Sequence, residues 1–226
     1  MSEYSYDNPS PRFRQLGELY RQVHEQGLPD GVEAAPVFCG GSLLQHVGIV
    51  GELARHTNAS SVLDYGSGKG MLYQEKDLAL PEGETIPSVQ EFWGVDEIRL
   101  YDPGVEEFAE RPSGEFEGVV STDVLEHIPE EDIDWVLAEC FGFAQKFLYM
   151  NIASYPAVKT LPNGWNAHVT IQPPEWWRAR IEKAAAEWKG HAYVFDVTEK
   201  RSGIRGSLTR ALTGSKLKLT RIEKWD

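Results

Sequence analysis

The chain has 226 residues, of which 41% are hydrophobic and 25% charged, a composition typical of globular domains and unlike that of disordered or membrane chains. The formal net charge of -13 opposes binding to a nucleic-acid backbone, which needs a basic face, so a nucleic-acid partner is not expected. No apolar run approaches the roughly 20 residues of a membrane span and the N-terminus lacks a signal segment, so we expect a cytoplasmic protein without membrane contact.

The N-terminal part of the chain is predicted to be helical after a short lead. Residues 1–11 are rich in Ser, Tyr and Pro, so we expect a flexible segment there. Apolar residues then recur at the helical period and predict two amphipathic helices within residues 12–57, the first ended by Gly27 and the second over residues 42–56. We expect these helices to form part of a lid. The loop between them carries three turn-forming residues: Pro29, Gly31 and Pro36.

Residues 61–226 alternate short apolar runs with amphipathic segments. The runs predict strands over residues 62–64, 98–102, 118–123 and 147–151, with closing strands at 193–195 and 217–219. Helices are predicted over residues 130–145 and from Pro174 onwards. The alternation predicts a single α/β domain with a mostly parallel central sheet and helices on both faces, which binds ligands at the carboxyl ends of its strands. The main strands end in polar residues: Asp64, Asp102, Asp123 and Asn151.

A glycine-rich turn follows the first strand in Asp64-Tyr-Gly-Ser-Gly-Lys-Gly70. Its glycines let the backbone turn sharply and approach a ligand closely. The dinucleotide-binding fingerprint would place a third glycine at Met71, and the P-loop would place a glycine at Leu63 and a hydroxyl residue at Gly70. The spacing therefore disfavours both an NAD site and an ATP or GTP site.

Two segments carry a resemblance to a known family. Residues 62–70 resemble the first motif of the class I S-adenosylmethionine-dependent methyltransferases, and Asp123-Val-Leu-Glu-His-Ile128 resembles the segment after the fourth strand in their small-molecule branch. The resemblance covers roughly residues 61–150. It implies a Rossmann-like methyltransferase fold with S-adenosylmethionine as the cofactor.

The resemblance also implies a cofactor-binding set. Asp64 would hold the amino end of the cofactor, and Asp102 would accept hydrogen bonds from its ribose. Two alternatives stay open: Asp102 begins a Pro-Gly turn and could be only a turn residue, and Asp96 could bind the ribose if residues 92–95 form the second strand. The full implied set is Asp64, Tyr65, Gly66, Gly68, Asp102, Asp123 and Val124.

The chain departs from the family pattern in two places. The segment between Gly70 and Asp102 is longer than usual and predicts an inserted loop. The segment between Asp102 and Gly118 is shorter and leaves little room for the family's third strand, whose end normally contacts the adenine. No adenine-binding residue is therefore assigned.

Methyl transfer proceeds by in-line displacement, so the enzyme mainly aligns two reactants. A hydroxyl acceptor must still lose its proton, and His127 and His168 are the candidate bases because histidine titrates near neutral pH. His127 could instead only shape the site. No residue is assigned to a metal. The polar loop around His168 suits a sugar-like acceptor, although it could equally be an ordinary surface loop, and its candidate contacts are Asn163, Trp165, Asn166 and His168.

The expected reaction is methyl transfer to an oxygen, with nitrogen as the second choice, of a small polar or glycan-like acceptor. A nucleic-acid base or nucleotide methyltransferase is one alternative, because basic residues are concentrated in residues 200–224. A non-catalytic cofactor-binding or interaction module is the other. The oligomeric state is not predicted.

Overall fold

The computed structural model describes residues 3–28, 33, 39–81, 83–200 and 217–226. The described helices are α1 (Pro11–Gln26), α2 (Val47–Thr57), α3 (Val89–Trp93), α4 (Glu130–Phe143) and α5 (Pro174–Ala185). The described strands are β1 (Ser61–Tyr65), β2 (Leu78–Ala79), β3 (Thr85–Ile86), β4 (Glu97–Tyr101), β5 (Phe116–Thr122), β6 (Ala144–Ser154), β7 (Ala192–Lys200) and β8 (Leu217–Trp225).

A six-stranded sheet with the order β4-β1-β5-β6-β7-β8 forms the centre of the domain. The first five strands in this order pair in parallel, and β8 pairs antiparallel with β7. This architecture confirms the predicted mixed α/β fold with a mostly parallel sheet, and it is consistent with a Rossmann-like fold. Strands β2 and β3 form a separate antiparallel pair.

Alternating side chains of the strands build one core on each face of the sheet. On one face, Val119 and Leu148 belong to the core that includes the apolar residues of α4 and α5. On the other, Val120 and Tyr149 belong to the core that includes α2 and α3. Helices therefore cover both faces, because each face of a parallel strand must be buried.

Residues 3–10 pack against the domain, whereas a flexible lead was expected there. Ser10 is fully buried and caps α1, because its Oγ accepts a hydrogen bond from the backbone of Phe13 at 3.0 Å. The Ser10 N–H donates to Asp132 in α4 at 3.0 Å. The side chains of Tyr4 and Tyr6 pack on the same core. The distant partner Asp132 fixes the segment, and a local composition argument does not reveal such a partner.

Several predicted boundaries change. The second N-terminal helix begins at Val47, after a short 3-10 helix over Gly41–Gln45. The alternative second strand at residues 92–95 is the end of α3, which Gly94 closes in the left-handed conformation. The insertion before β4 holds α3 and the β2–β3 pair, and residues 102–115 hold a 3-10 turn and no strand.

Some predicted features lie outside the described residues. These are the loop residues Pro29, Gly31 and Pro36, and the basic residues Arg201, Arg205, Arg210 and Lys216. Within the described part of the chain, no helix combines the length and apolar character needed to cross a membrane.

The same substitution at two glycines tests the packing of the sheet. A Cβ at Gly118 in β5 would overlap the ring of Phe147, which is fully buried in β6, whereas a Cβ at Gly142 in α4 meets open space. We expect Gly118→Ala to destabilise the protein by about 1–3 kcal/mol. The control Gly142→Ala should be neutral or stabilise by up to about 1 kcal/mol, because alanine is the better helix former. Urea unfolding measures both, and equal stability of the two variants would contradict the packing described.

Candidate functional site

A cavity of about 890 Å³ opens at the carboxyl ends of the parallel strands. Its volume falls in the range of small-molecule sites, about 300–1,000 Å³. Side chains of α1 and of the segment after β6 also line it. The cavity brings together every residue proposed for cofactor binding or catalysis: Asp64, Tyr65, Gly66, Gly68, Asp102, Asp123, Val124, His127 and His168.

The glycine-rich turn forms one wall of the cavity. Gly66 and Gly68 have φ angles of 86° and 57°, which side-chain-bearing residues rarely adopt. The backbone N–H groups of Gly66 and Ser67 donate to the carbonyl of Tyr101 at 2.7 and 3.1 Å. A Cβ at Gly66 would overlap the side chain of Val124. Glycine is therefore required here both by backbone conformation and by contact with Val124.

Asp102 connects the end of β4 to the glycine turn. One carboxylate oxygen accepts from the Gly68 N–H at 2.9 Å and the other from the Gly104 N–H at 2.8 Å. Asp102 thus orders its own turn and faces the cavity as well. The rival residue Asp96 is exposed and lies just before β4, at the amino end of the strand, whereas the cavity lies at the carboxyl ends. The geometry favours Asp102 over Asp96 as the ribose-contacting candidate.

Asp64 is almost completely buried near the end of β1, with 3% of its surface exposed. Its Oδ2 accepts a hydrogen bond from the Tyr73 hydroxyl at 2.8 Å. Its Oδ1 is buried and has no hydrogen-bond partner among the described residues. Burial raises the pKa of Asp64 to about 7; the Tyr73 hydrogen bond opposes this shift and the nearby Asp102 adds to it.

Two other predicted cofactor residues are held by neighbours outside the glycine turn. The Tyr65 hydroxyl points away and donates to Glu139 of α4 at 2.8 Å. Asp123 has a φ of 54° directly after β5. Asn151 of β6 holds it from both sides, because its amide donates to the Asp123 carboxylate at 2.6 Å and accepts from the Asp123 N–H at 3.1 Å. The Asp123 carboxylate is therefore fixed in orientation at the cavity floor.

The two candidate bases lie against each other, with ring centroids 4.9 Å apart. The Nδ1 of His127 lies 2.9 Å from the Ala167 carbonyl and 2.6 Å from the Tyr20 hydroxyl. The Nδ1 of His168 lies 2.6 Å from the Tyr155 carbonyl. Burial, and next the neighbouring His168, lowers the pKa of His127 to about 3, so His127 is a weak base at neutral pH. Burial also lowers the pKa of His168.

Of the four loop residues proposed to contact an acceptor, only His168 lines the cavity. The Asn166 amide bonds the backbone N–H and carbonyl of Ala157, both at 2.9 Å, and so holds the loop together. Asn163 accepts from the backbone N–H of Trp165. Trp165 itself lies near Arg12, whose guanidinium is 5.7 Å from the ring centroid.

The two N-terminal helices contribute unequally to the expected lid. Helix α1 borders the cavity along its length, from Phe13 to His24. Helix α2 does not line it, because its apolar face is buried against the sheet through Val47, Val50 and Leu53. The covering element among the described residues is therefore α1, together with the segment after β6.

Three site residues were not identified from the sequence. Tyr73 bonds Asp64 across the glycine turn, and Tyr20 of α1 bonds His127 from 107 positions away. Glu126 is fully buried, accepts from the Ala153 N–H at 2.8 Å through Oε1, and has no hydrogen-bond partner at Oε2. Helical periodicity places Tyr20 on the apolar side of α1 but does not show its contact with His127, and it gives no signal for Tyr73. Glu126 stands inside a motif that was recognised.

Three of the described basic residues of the C-terminal segment are paired with acids. Lys218 lies 3.4 Å from Glu199, and Lys224 lies 2.9 Å from Asp226. Arg221 makes a two-point contact with Asp196, at 2.7 and 2.8 Å. This part of the segment therefore presents little uncompensated positive charge to a nucleic acid.

The cavity combines buried or fixed carboxylates with a close-packed glycine turn, and the carboxylates suit a ligand that carries a positive charge. Comparisons of the chain with models of protein families, with curated proteins and with solved structures find no match. The function of the protein is therefore inferred from the geometry of the site.

The raised pKa of Asp64 predicts a stability that depends on pH. A carboxyl whose pKa is about 4 in the unfolded protein and about 7 in the folded protein adds most to the free energy of unfolding below pH 4. This stabilisation is lost as the pH rises towards 7. We expect Asp64→Asn to gain about 2–3 kcal/mol relative to the natural protein between pH 5 and pH 8. The control Asp96→Asn, at an exposed site, should show no such gain. Chemical unfolding at both pH values measures the effect, and parallel curves for Asp64→Asn would refute it.

Proposed function

We propose that this protein is an S-adenosylmethionine-dependent methyltransferase that transfers a methyl group to an oxygen of a small polar or glycan-like acceptor. Nitrogen is the second choice of acceptor atom. The observation that carries the proposal is the unpartnered Oδ1 of Asp64, buried beside the glycine turn in a cavity at the carboxyl ends of the strands.

The ammonium group of the cofactor's methionyl end supplies what Asp64 lacks. A buried carboxylate oxygen without a hydrogen-bond donor is costly, and a charged donor compensates that cost. Because Tyr73 already occupies Oδ2, the ammonium group would bind at Oδ1. The adjacent Gly66 and Gly68 let the cofactor lie close to the backbone.

Asp102 would hold the ribose. Each of its oxygens accepts one backbone N–H, and each has a second lone pair that can accept a ribose hydroxyl. Its existing contacts therefore orient it for the sugar and do not exhaust it. The fixed carboxylate of Asp123 and the side chain of Val124 would line the floor below the sulfonium, where a negative charge stabilises the cation.

The remaining space lies towards α1 and the segment after β6, where the acceptor would bind. Polar side chains line this side, including Arg14, Arg21 and Lys159, and apolar contacts come from Phe13 and Trp135. Such a mixed surface suits a polar molecule that also presents an apolar face, as sugars do. The catalytic contribution would be alignment of the acceptor with the methyl group, together with removal of the acceptor proton.

Isothermal titration calorimetry with S-adenosylmethionine, S-adenosylhomocysteine and NAD tests the proposal. Binding of the two sulfur compounds without NAD is the expected result. Asp102→Ala should weaken binding by about 1.5–3 kcal/mol, the value of hydrogen bonds to a charged group. The control Asp96→Asn should bind as the natural protein does, because Asp96 is exposed at the amino end of β4 and does not line the cavity.

The opposite outcomes are equally informative. Failure of both sulfur compounds to bind the folded protein would overturn the methyltransferase proposal and favour an interaction module. Loss of affinity in Asp96→Asn but not in Asp102→Ala would reverse the ribose assignment.

A further inference from the structure

We propose that Glu126, His127 and His168 form a binding site for a divalent first-row transition-metal cation at the acceptor side of the cavity. The three residues offer one ligand atom each, and these atoms lie within 4.8 Å of one another. No residue was predicted from the sequence to bind a metal. The site brings together two adjacent residues of the turn after β5 and one residue of the segment after β6.

The spacing of the three atoms suits a cation. Nitrogen and oxygen ligands bind such ions at about 2.0–2.2 Å, so two ligands of one ion lie no more than about 4.4 Å apart. The observed limit of 4.8 Å is close to this value. The three ligand atoms would have to move slightly closer together to share one ion.

Hydrogen bonds to backbone carbonyls orient both histidines for metal binding. A histidine whose Nδ1–H donates to a carbonyl keeps its lone pair on Nε2. The Nδ1 of His127 lies 2.9 Å from the Ala167 carbonyl, and that of His168 lies 2.6 Å from the Tyr155 carbonyl. Metal-binding histidines characteristically donate their second ring N–H in this way, which fixes the tautomer and the orientation of the ring.

A buried oxygen of Glu126 supports the metal site independently of the spacing of the three residues. Its side chain is completely buried, and its Oε1 is held by the backbone N–H of Ala153 at 2.8 Å. Its Oε2 has no hydrogen-bond partner among the described residues, although it is shielded from solvent. Buried polar atoms are almost always satisfied, so a buried oxygen beside two oriented imidazoles points to a ligand that the oxygen would bind.

The donor set identifies the class of cation. Two imidazoles and one carboxylate suit zinc, manganese, iron or cobalt, whereas magnesium and calcium prefer oxygen ligands throughout. Three protein ligands leave coordination positions open, as in catalytic rather than structural sites. Because His127 and His168 line the cavity, the open positions would face the acceptor.

The chemical role of the cation rests on the proposed methyl transfer, whereas its binding does not. A divalent cation lowers the pKa of a hydroxyl that it contacts. The acceptor O–H bond then breaks with its proton passing to solvent, and the oxygen forms a bond to the methyl carbon. The bond between sulfur and the methyl carbon breaks, and its electron pair neutralises the sulfonium. Here the histidines bind the cation and do not take the proton.

Calorimetric titration of the untagged, chelator-treated protein with ZnCl2 and, separately, MnCl2 tests the site. We expect one cation to bind per chain. His168→Ala and Glu126→Gln should each weaken binding by at least about tenfold, because loss of a residue that only orients a metal ligand already costs about that much. The control His191→Ala removes an exposed histidine outside the cavity and should bind the cation as the natural protein does.

A parallel titration with S-adenosylmethionine separates this proposal from the previous one. Cofactor binding without binding of either cation would overturn the metal site and leave the methyltransferase proposal intact. Cation binding without cofactor binding would overturn the methyltransferase proposal and leave the metal site intact. Unchanged cation affinity in both His168→Ala and Glu126→Gln, with circular dichroism showing folded variants, would also overturn the site.

Discussion

The carboxylate of Asp102 connects the two loops on which the candidate site depends. The parallel register of β1 and β4 places Tyr65 beside Tyr101, so the segments that follow these strands leave the sheet together. Asp102 then accepts one N–H from each segment, at Gly68 and Gly104. Gly66 of the same glycine turn packs against Val124, and its backbone N–H donates to the carbonyl of Tyr101. The Asp102 side chain thus joins the glycine turn to the segment after β4 in the cavity wall.

Two buried carboxylates, one in the cavity and one beside it, each have an oxygen without a hydrogen-bond partner among the described residues. Asp64 lines the part of the cavity assigned to the cofactor, and the Glu126 carboxylate lies close to His127 and His168. Burial raises the pKa of each carboxyl, to about 7 for Asp64 and about 8 for Glu126. Folding without ligands therefore carries an electrostatic cost at these positions. Unfavourable local features of this kind, such as a buried carboxylate without a partner, concentrate at functional sites, where a bound charge offsets their cost.

The sequence predicted features that depend on neighbouring residues and missed those that depend on distant ones. The strands that end near Asp64, Asp102 and Asp123 were predicted correctly, because an apolar run and the residue that stops it are adjacent. The packing of residues 3–10 depends on the contact of Ser10 with Asp132, 122 positions away. Periodicity contains no information about such a pair.

At the candidate site, too, the sequence predicted local features and missed contacts between distant residues. His127 and His168 were both identified, yet their contact across 41 positions of sequence follows only from the segment after β6 folding back. The acceptor loop was recognised by its polar composition, but composition does not show that Asn166 bonds its own loop. Residues 92–95 were ambiguous because a short apolar run fits a helix or a strand, and the caps Ser88 and Gly94 decide for the helix.

The hydroxyl of Tyr20 makes access to the cavity and alignment of its histidine pair interdependent. Tyr20 belongs to α1, the helix that borders the cavity, and it bonds both the imidazole of His127 and the carbonyl of Ala167. A movement of α1 that widens the entrance would remove this hydroxyl from both partners. His127 would then keep the Ala167 carbonyl at Nδ1 but lose the second contact of that atom, so its ring would be less constrained while the cavity stood open.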